Sequence, residues 1–160
     1  MLDNPEATET KHAVIAAIDD AWRDLRRCLS PLTGPEMIIP GVCGEWSVKD
    51  VLAHITTWES ELIMALGRGS AVPTPNLDEF NEKAVRSRAS LTSREVMEQL
   101  EDTHRSLRDA LNDAPAAYFA YGESIRTKID SDSLLHYEEH AAQIRAWVLG
   151  RRRAKRVGQG

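Results

Sequence analysis

The stretch SDSLLHYEEHAAQIRAWVLG, residues 131–150, carries two histidines four positions apart, His136 and His140. Its apolar residues recur at the spacing of an amphipathic helix. Two side chains four positions apart on a helix leave the same face about one turn apart. Two imidazoles in that arrangement can bind one metal ion and leave coordination positions free. The stretch therefore predicts a helix that presents part of a metal site.

A second strongly helical stretch, GEWSVKDVLAHITTWESEL at residues 44–62, contains His54. At 100° of rotation per residue, each of the three histidines lies at the edge of the apolar arc of its own helix. Three neutral imidazoles buried together would leave donors and acceptors without partners, whereas a divalent cation takes up the lone pairs. We therefore predict that the two helices meet and that His54, His136 and His140 bind one divalent metal ion.

The hydrophobic pattern of the whole chain predicts an all-α fold. Apolar residues recur at helical spacing in four long segments, at about residues 6–29, 47–66, 92–112 and 131–149. Residues 70–91 form a long connection with a short helix at about 77–88, and they allow the second and third helices to run parallel. Residues 116–130 are predicted to be a loop. The expected architecture is a four-helix bundle with a long crossover between helices two and three, in one domain at residues 1–150.

The charge of the chain is unevenly distributed. The formal net charge is −5, with 20 basic and 25 acidic side chains. Five of the basic residues lie in the last ten positions, where there are no acidic ones, so residues 1–150 hold 15 basic against 25 acidic side chains. Because an acidic body repels phosphates, we expect no nucleic-acid partner. We expect residues 151–160 to form a solvated basic tail beyond the last helix.

The remaining composition is that of an ordinary globular domain. The two cysteines are too few to suggest a disulfide framework. No apolar run approaches the length of a membrane span, so we expect no membrane partner. A cytoplasmic location is the resulting expectation.

Polar and aromatic residues near the three histidines suggest a partly solvated cleft. Trp58 and Trp147 fall on the histidine side of their helices, and we predict that they wall a substrate site, to which Tyr137 is also assigned. Asp50 and Glu61 lie beside His54 on the second helix, where they could orient a ligand or move a proton. The other two histidines receive structural interpretations: His12 is expected to be solvated, and His104 to be a packed or surface residue.

At these residues the chain resembles the DinB/YfiT-like superfamily of four-helix bundles. The resemblance rests on GEWSVKDVLAHITTWE and on the pair His136 and His140, and it extends to the ClbS/DfsB-like branch. It implies an up-down-down-up bundle, often dimeric, with a metal, usually zinc or nickel, held by residues matching His54, His136 and His140. Several relatives are S-transferases that use a low-molecular-weight thiol, and others are hydrolases.

Two classes of function follow from this resemblance. The first is a metal-dependent hydrolase or thiol S-transferase that acts on an electrophilic small molecule in detoxification or stress protection. The second is a protein that binds or sequesters a small molecule without turnover. A purely structural bundle with satisfied core histidines is a third interpretation. Three imidazoles suit several transition metals, so the sequence identifies neither the metal nor the thiol.

Overall fold

The computed structural model describes residues 4–160 of the chain, and within them it contains helices and turns but no strands longer than an isolated bridge between Cys43 and Trp46. The all-α class predicted from the sequence is confirmed. The helices are α1 (Pro5–Leu29), α2 (Gly34–Met37), α3 (Val48–Arg68), α4 (Leu77–Arg86), α5 (Ser93–Asp113), α6 (Ser124–Ile129) and α7 (Leu135–Val157). A 3₁₀ turn, Ala116–Phe119, precedes α6, and a π-helical turn, Asp130–Leu134, joins α6 to α7.

Local capping sets the start of the helices α3 and α5. The side chain of Ser47 accepts a hydrogen bond from the backbone N–H of Asp50, and the Asp50 carboxylate accepts one from the Ser47 N–H. Thr92 and Glu95 form the same reciprocal pair at the start of α5. Each pair satisfies two of the backbone donors that a helix N-terminus leaves without partners.

Two segments differ from the sequence prediction. Residues 116–130 are not a loop, because they contain the 3₁₀ turn and α6, which bury Phe119, Ile125 and Ile129 in the core. The last helix does not end at Leu149 but continues to Val157. Arginine, lysine and alanine are good helix formers, and one internal glycine costs only about 1 kcal/mol relative to alanine, so the helix passes through Gly150.

Contacts between the long helices give their directions. Lys49 at the start of α3 donates to the backbone oxygen of Ala89, just before α5, and Glu59 meets His104 halfway along both helices. At the far end, Gly69 lies against Tyr118. The contacts follow in the same order along both helices, so α3 and α5 run parallel. Residues 70–91 return the chain from the end of α3 to the start of α5.

The helices α1, α3, α5 and α7 enclose one apolar core. Its largest fully buried side chains are Ile18, Leu25, Leu52, Ile55, Leu62, Leu100, Leu107, Leu111, Phe119, Ile129, Tyr137 and Ile144. Among residues 4–160, no helix is both long enough and apolar enough to cross a membrane.

The end of α3 provides a test of this packing. Gly69 has φ +73°, a left-handed conformation that L-residues adopt with strain, and a Cβ there would collide with the Tyr118 hydroxyl. We expect Gly69→Ala to lower the free energy of unfolding by roughly 1–2 kcal/mol or more. The matched control is Gly67→Ala, which has open space around its Cβ and should stabilise the helix by about 0.5–1 kcal/mol. Equal effects of the two changes in urea unfolding would contradict this account.

Candidate metal centre

The three histidines predicted to meet lie together in the structure. His54 comes from α3, His136 and His140 come from α7, and their side chains are 7%, 9% and 4% exposed. One ring nitrogen from each lies within 4.8 Å of one from each of the others. The distances between ring centroids are 4.7 Å from His136 to either neighbour and 5.2 Å from His54 to His140. These positions form a compact, buried group of three imidazoles.

Hydrogen bonding at the three rings leaves nitrogen atoms without partners. The Nε2 atoms of His54 and His136 are 2.8 Å apart, and His140 Nδ1 is 2.7 Å from Gln143 Oε1. Within the described residues, His54 Nδ1, His136 Nδ1 and His140 Nε2 are buried and have no hydrogen-bond partner. A buried polar atom left in this way costs about 1–3 kcal/mol.

The donor set of this cluster fits a divalent metal ion. Neutral imidazole is a common ligand of zinc, nickel, copper and iron. The amide oxygen of Gln143 can only accept, so His140 carries its proton on Nδ1 and its Nε2 lone pair is available. A bond of this kind fixes the tautomer of a metal-binding histidine. Three buried rings with unpartnered nitrogens are therefore the arrangement that a metal ion would complete.

Burial keeps these imidazoles neutral. The pKa of His54 is lowered to about 4 by burial and then by the charge of His140, although the nearby Asn81 amide opposes the shift. The pKa of His136 is lowered to about 2 by burial and by the other two rings. Burial also lowers the pKa of His140. All three rings are consequently neutral at neutral pH, so each has one unprotonated nitrogen and a metal would not have to displace an imidazolium proton.

The helix that carries two of the ligand candidates contains an irregular turn just before them. In the π-helical turn Asp130–Leu134, the backbone N–H of Leu135 donates to the carbonyl of Asp130, five residues earlier. Such a turn adds a residue to the helix and shifts the faces of the flanking segments relative to each other, and π turns are frequent at functional sites. This turn therefore sets the direction in which α7 presents His136 and His140 relative to the side chains of α6.

Aromatic rings pack around the cluster. The ring of Trp46 lies 5.0 Å from that of His54, and the ring of Trp58 lies 6.5 Å from it, edge-on. The indole N–H of Trp58 donates to Asn81 Oδ1 at 2.9 Å, and Phe80 packs on the same indole at 4.8 Å. Trp58 thus lies beside His54, and its role as a wall of a substrate site stays a prediction. Trp46, Phe80 and Asn81 were not predicted, and the last two come from the crossover, whose partner cannot be identified from periodicity.

Two other residues proposed for the substrate site lie elsewhere. Trp147 packs under the guanidinium of Arg151 at 5.0 Å and lines a cavity of about 180 Å³ with Leu32 and Glu36. Tyr137 is completely buried, and its hydroxyl donates to Glu59. The structure therefore gives Tyr137 a place in the core instead of the expected substrate contact, because it points about 100° away from His136 into the apolar arc.

The two carboxylates proposed as catalytic groups have different surroundings. Asp50 accepts hydrogen bonds from the backbone N–H and the hydroxyl of Ser47 at 3.0 and 2.9 Å, which gives it the role of a helix cap. Glu61 lines a cavity of about 450 Å³ with Arg68 and Phe80, and its charge acts on Asp132. Of the two carboxylates, Glu61 is the one that lines a cavity, and this cavity is next to Trp58 because Phe80, another lining residue, packs on Trp58.

A polar network that the sequence analysis missed crosses the core beside the cluster. His104 Nδ1 lies 3.0 Å from Glu59 Oε1 and 3.1 Å from the hydroxyl of Tyr137, and the His104 ring stacks on Trp22 at 3.7 Å. Burial raises the pKa of Glu59, and its bonds to His104 and Tyr137 oppose that shift. A sequence signal existed, since Glu59 lies 140° from His54, inside the apolar arc of α3. His104 is a packed residue, and His12 is exposed, as expected.

A cavity of about 490 Å³ lies apart from the histidines. Its walls are Arg23, Arg26, Arg27, Leu29, Ser30, Leu32, Met37 and Met97, at the end of α1. We take the histidine cluster as the candidate site because it has converging donors, whereas the cavity has an apolar floor and arginines of which two are paired with Asp20 and Glu101.

Several solved structures, including the following three, have a similar fold. An uncharacterised protein from Escherichia coli UTI89 has a TM-score of 0.75 and 16% sequence identity, and the aligned region covers 89% of this chain and 94% of that protein's chain. The protein described as Sibling Lethal Factor Precursor, DfsB, has a TM-score of 0.75 and 17% identity, with 89% and 96% covered. The colibactin self-resistance protein ClbS, in complex with double-stranded DNA, has a TM-score of 0.72 and 14% identity, with 85% and 93% covered. Comparison with curated protein sequences found no match.

The ClbS complex corrects one expectation. The sequence analysis excluded nucleic acid as a partner on the basis of an acidic body, and that exclusion is wrong because a protein of this fold has been crystallised with duplex DNA. The physical reason is that net charge averages over the whole surface. Five of the six residues 151–156 are basic, and they lie on the helical end of α7, where their charge is concentrated locally.

The pKa values of the histidines predict how the metal-free protein responds to acid. Their pKa values are lower in the folded state than the unfolded value of 6.5, so below pH 6.5 the unfolded chain binds more protons. We expect stability to be fully present above pH 6.5 and to fall below it, down to about pH 4 for His54 and about pH 2 for His136, by up to about 1.4 kcal/mol per pH unit for each of these histidines. The His54→Gln variant should show a shallower fall, and the exposed His12→Gln variant an unchanged one. Identical slopes in all three proteins would contradict the assignment.

Family comparison completes the description of the site. Residues 18–120, about two thirds of the chain, match the model for the mycothiol maleylpyruvate isomerase N-terminal domain. The match includes α3 with His54, and the remaining two histidines follow it in α7. This match confirms the resemblance to the DinB/YfiT-like superfamily, and ClbS and DfsB share its fold. The chain belongs to the mycothiol maleylpyruvate isomerase N-terminal domain family.

Proposed function

We propose that this protein is a metal-dependent enzyme that activates a low-molecular-weight thiol or water against an electrophilic small molecule. The observation that carries the proposal is the group of three buried, neutral imidazoles from α3 and α7 with nitrogen atoms that have no protein partner. The family match supports the thiol, since the family is named after a mycothiol-dependent isomerase domain. Zinc or nickel as the metal, a dimeric assembly, a cytoplasmic location and a role in stress protection belong to the same proposal.

The residues of the site would divide the work as follows. His54, His136 and His140 would hold the ion, which supplies the acidity that converts a bound thiol or water into a nucleophile. Gln143 orients the His140 ring by accepting its N–H. Trp46 and Trp58 cover the His54 ring and exclude bulk water. Glu61, which lines the neighbouring cavity, would exchange a proton with a substrate that occupies it.

The alternative is a protein that binds a small molecule without turnover. The specific observation in its favour is the likeness in fold to ClbS, which is described as a self-resistance protein. Resistance to a toxic compound can result from sequestration alone. The same buried site would then serve as a binding pocket, with or without metal, and turnover would separate the two functions.

Metal uptake tests the ligand assignment. We expect the wild-type protein, produced without a histidine tag, to bind one equivalent of zinc or nickel, and the His140→Ala variant to lose this binding by at least 100-fold, because two imidazoles remain and the Gln143 contact is lost. Equilibrium dialysis with elemental analysis measures the stoichiometry. The control is His12→Ala on the exposed face of α1, which should bind like the wild type. Full metal content in His140→Ala would show that the ligand set is wrong.

Turnover distinguishes the enzyme from the binding protein. The metal-loaded protein is incubated with an electrophile and with glutathione, bacillithiol or mycothiol, and the free thiol is followed over time. We expect consumption of many equivalents of one thiol, and a reduction of at least 100-fold in His54→Ala, since the metal no longer activates the thiol. A loss of at most one equivalent with every thiol, together with no hydrolysis of simple esters, would favour sequestration.

A further inference from the structure

A layer of side chains lies one helical turn below the histidine cluster. Trp58 follows His54 by one turn of α3, and Asp132 precedes His136 by about one turn. The two helices run in opposite directions here, so these positions come to the same level. The two helical segments are in direct contact in this layer, since Lys128 Nζ lies 5.1 Å from the ring centre of Trp58.

This layer contains a buried ion pair. Lys128 Nζ is 2.6 Å from Asp132 Oδ2, and the two side chains are only 10% and 9% exposed. Lysine and aspartate are almost never buried unless they are paired. Even then, desolvation commonly outweighs the attraction, so a buried pair is poor support for a purely stabilising role. The position of the pair beside the candidate metal site calls for a functional explanation.

The ammonium group of Lys128 has donors to spare. It carries three N–H groups, of which one is directed to Asp132 and one face of the group rests on the indole of Trp58. Asp132 is held from its other side by the hydroxyl of Ser131 at 3.1 Å. In the described part of the chain, Asp132 is the one hydrogen-bond acceptor of Lys128 Nζ within bonding distance. A desolvated ammonium with a remaining donor is a ready site for an anionic oxygen.

A cavity reaches this layer from the surface. Glu61, Arg68 and Phe80 line a space of about 450 Å³ under the crossover, together with Val72, Pro73, Thr74 and Pro75. Phe80 packs on Trp58, and Glu61 acts electrostatically on Asp132. The inner wall of the cavity is therefore in contact with the layer that holds Lys128, through the packing of Phe80 on Trp58.

We propose that Lys128, ion-paired with Asp132, binds a carboxylate of the small molecule that occupies the three-histidine site. The inference rests on the proposed metal-dependent function and specifies its ligand class: a thiol or an electrophile that bears a carboxylate. The charge balance supports it, since three neutral imidazoles leave the charge of a divalent ion uncompensated and Lys128 and Asp132 cancel each other. An anionic ligand would neutralise the site.

The test compares two thiols that differ in charge. The protein is loaded with cobalt(II), whose visible absorption reports thiolate coordination, and titrated with 3-mercaptopropionate or with 3-mercaptopropan-1-ol. We expect the wild type to bind the carboxylate-bearing thiol roughly ten-fold or more tightly, the value of one charged hydrogen bond. Lys128→Met should lose this preference while it retains one equivalent of cobalt and its affinity for the uncharged thiol.

The chain provides a matched control. Arg126 and Asp130 form a second ion pair with the same spacing, 2.9 Å long, on the same turn of helix, but Arg126 is bonded to the Phe119 carbonyl and has no contact with Trp58. Arg126→Met should therefore keep the ten-fold preference. If Lys128→Met leaves Asp132 buried without a partner and fails to fold, the double variant Lys128→Met/Asp132→Asn removes both charges and should show the same loss.

The outcomes separate the two proposals. A wild-type protein that binds no metal would overturn the proposed function and this inference with it. A protein that binds cobalt but shows no preference for the carboxylate would overturn this inference alone. A preference that persists in Lys128→Met and in the double variant would do the same, because it would show that the carboxylate binds the metal directly.

Discussion

The fold and the candidate site both depend on the register between α3 and α7. Consecutive residues on α7 make contacts on two sides of this helix pair: His136 meets His54, and Tyr137 donates to the buried Glu59. A shift of α7 by one residue would break both contacts and would remove the Tyr137 hydroxyl, one of the two hydrogen-bond partners of the buried Glu59 carboxyl group. Because the loss of a hydrogen bond from a buried polar network is destabilising, this network restricts the register, and the register places the three imidazoles together.

Much of the fold could be predicted from the sequence because the long helices have their own local signals. The long helices have sustained apolar stripes, and the capping boxes at Ser47 and Thr92 give their starts to within a residue. The prediction of a loop at residues 116–130 was wrong because the helical turns there are short. They are stabilised by burial of Phe119 and Ile129, a tertiary effect that local patterns do not contain. The predicted end of α7 was wrong because the basic run was interpreted as a solvated tail, although its residues favour a helix.

The candidate site was predictable only in the part that lies on regular helices. Histidines at the margins of two apolar arcs indicated a common site, and the structure brings His54, His136 and His140 together. Asn81 and Lys128 were out of reach because they belong to the crossover and to α6, whose positions relative to α3 follow from packing. Trp147 was misplaced because a helical wheel gives the direction of a side chain but not which neighbour stands at that height along the axis.

Charge shows the same difference between totals and positions. Residues 1–150 carry an excess of acidic side chains, yet α7 ends in a cluster of four arginines and one lysine, and the buried Lys128 contacts Trp58, one turn from His54. Electrostatic interactions are screened over about 8–10 Å at physiological salt, so a phosphate or a carboxylate responds to the charges within that distance and little to the rest. The net charge of −5 therefore says little about which anions this protein binds. The positions of Lys128 and of the basic end of α7 determine where positive charge is concentrated, and those positions depend on the fold.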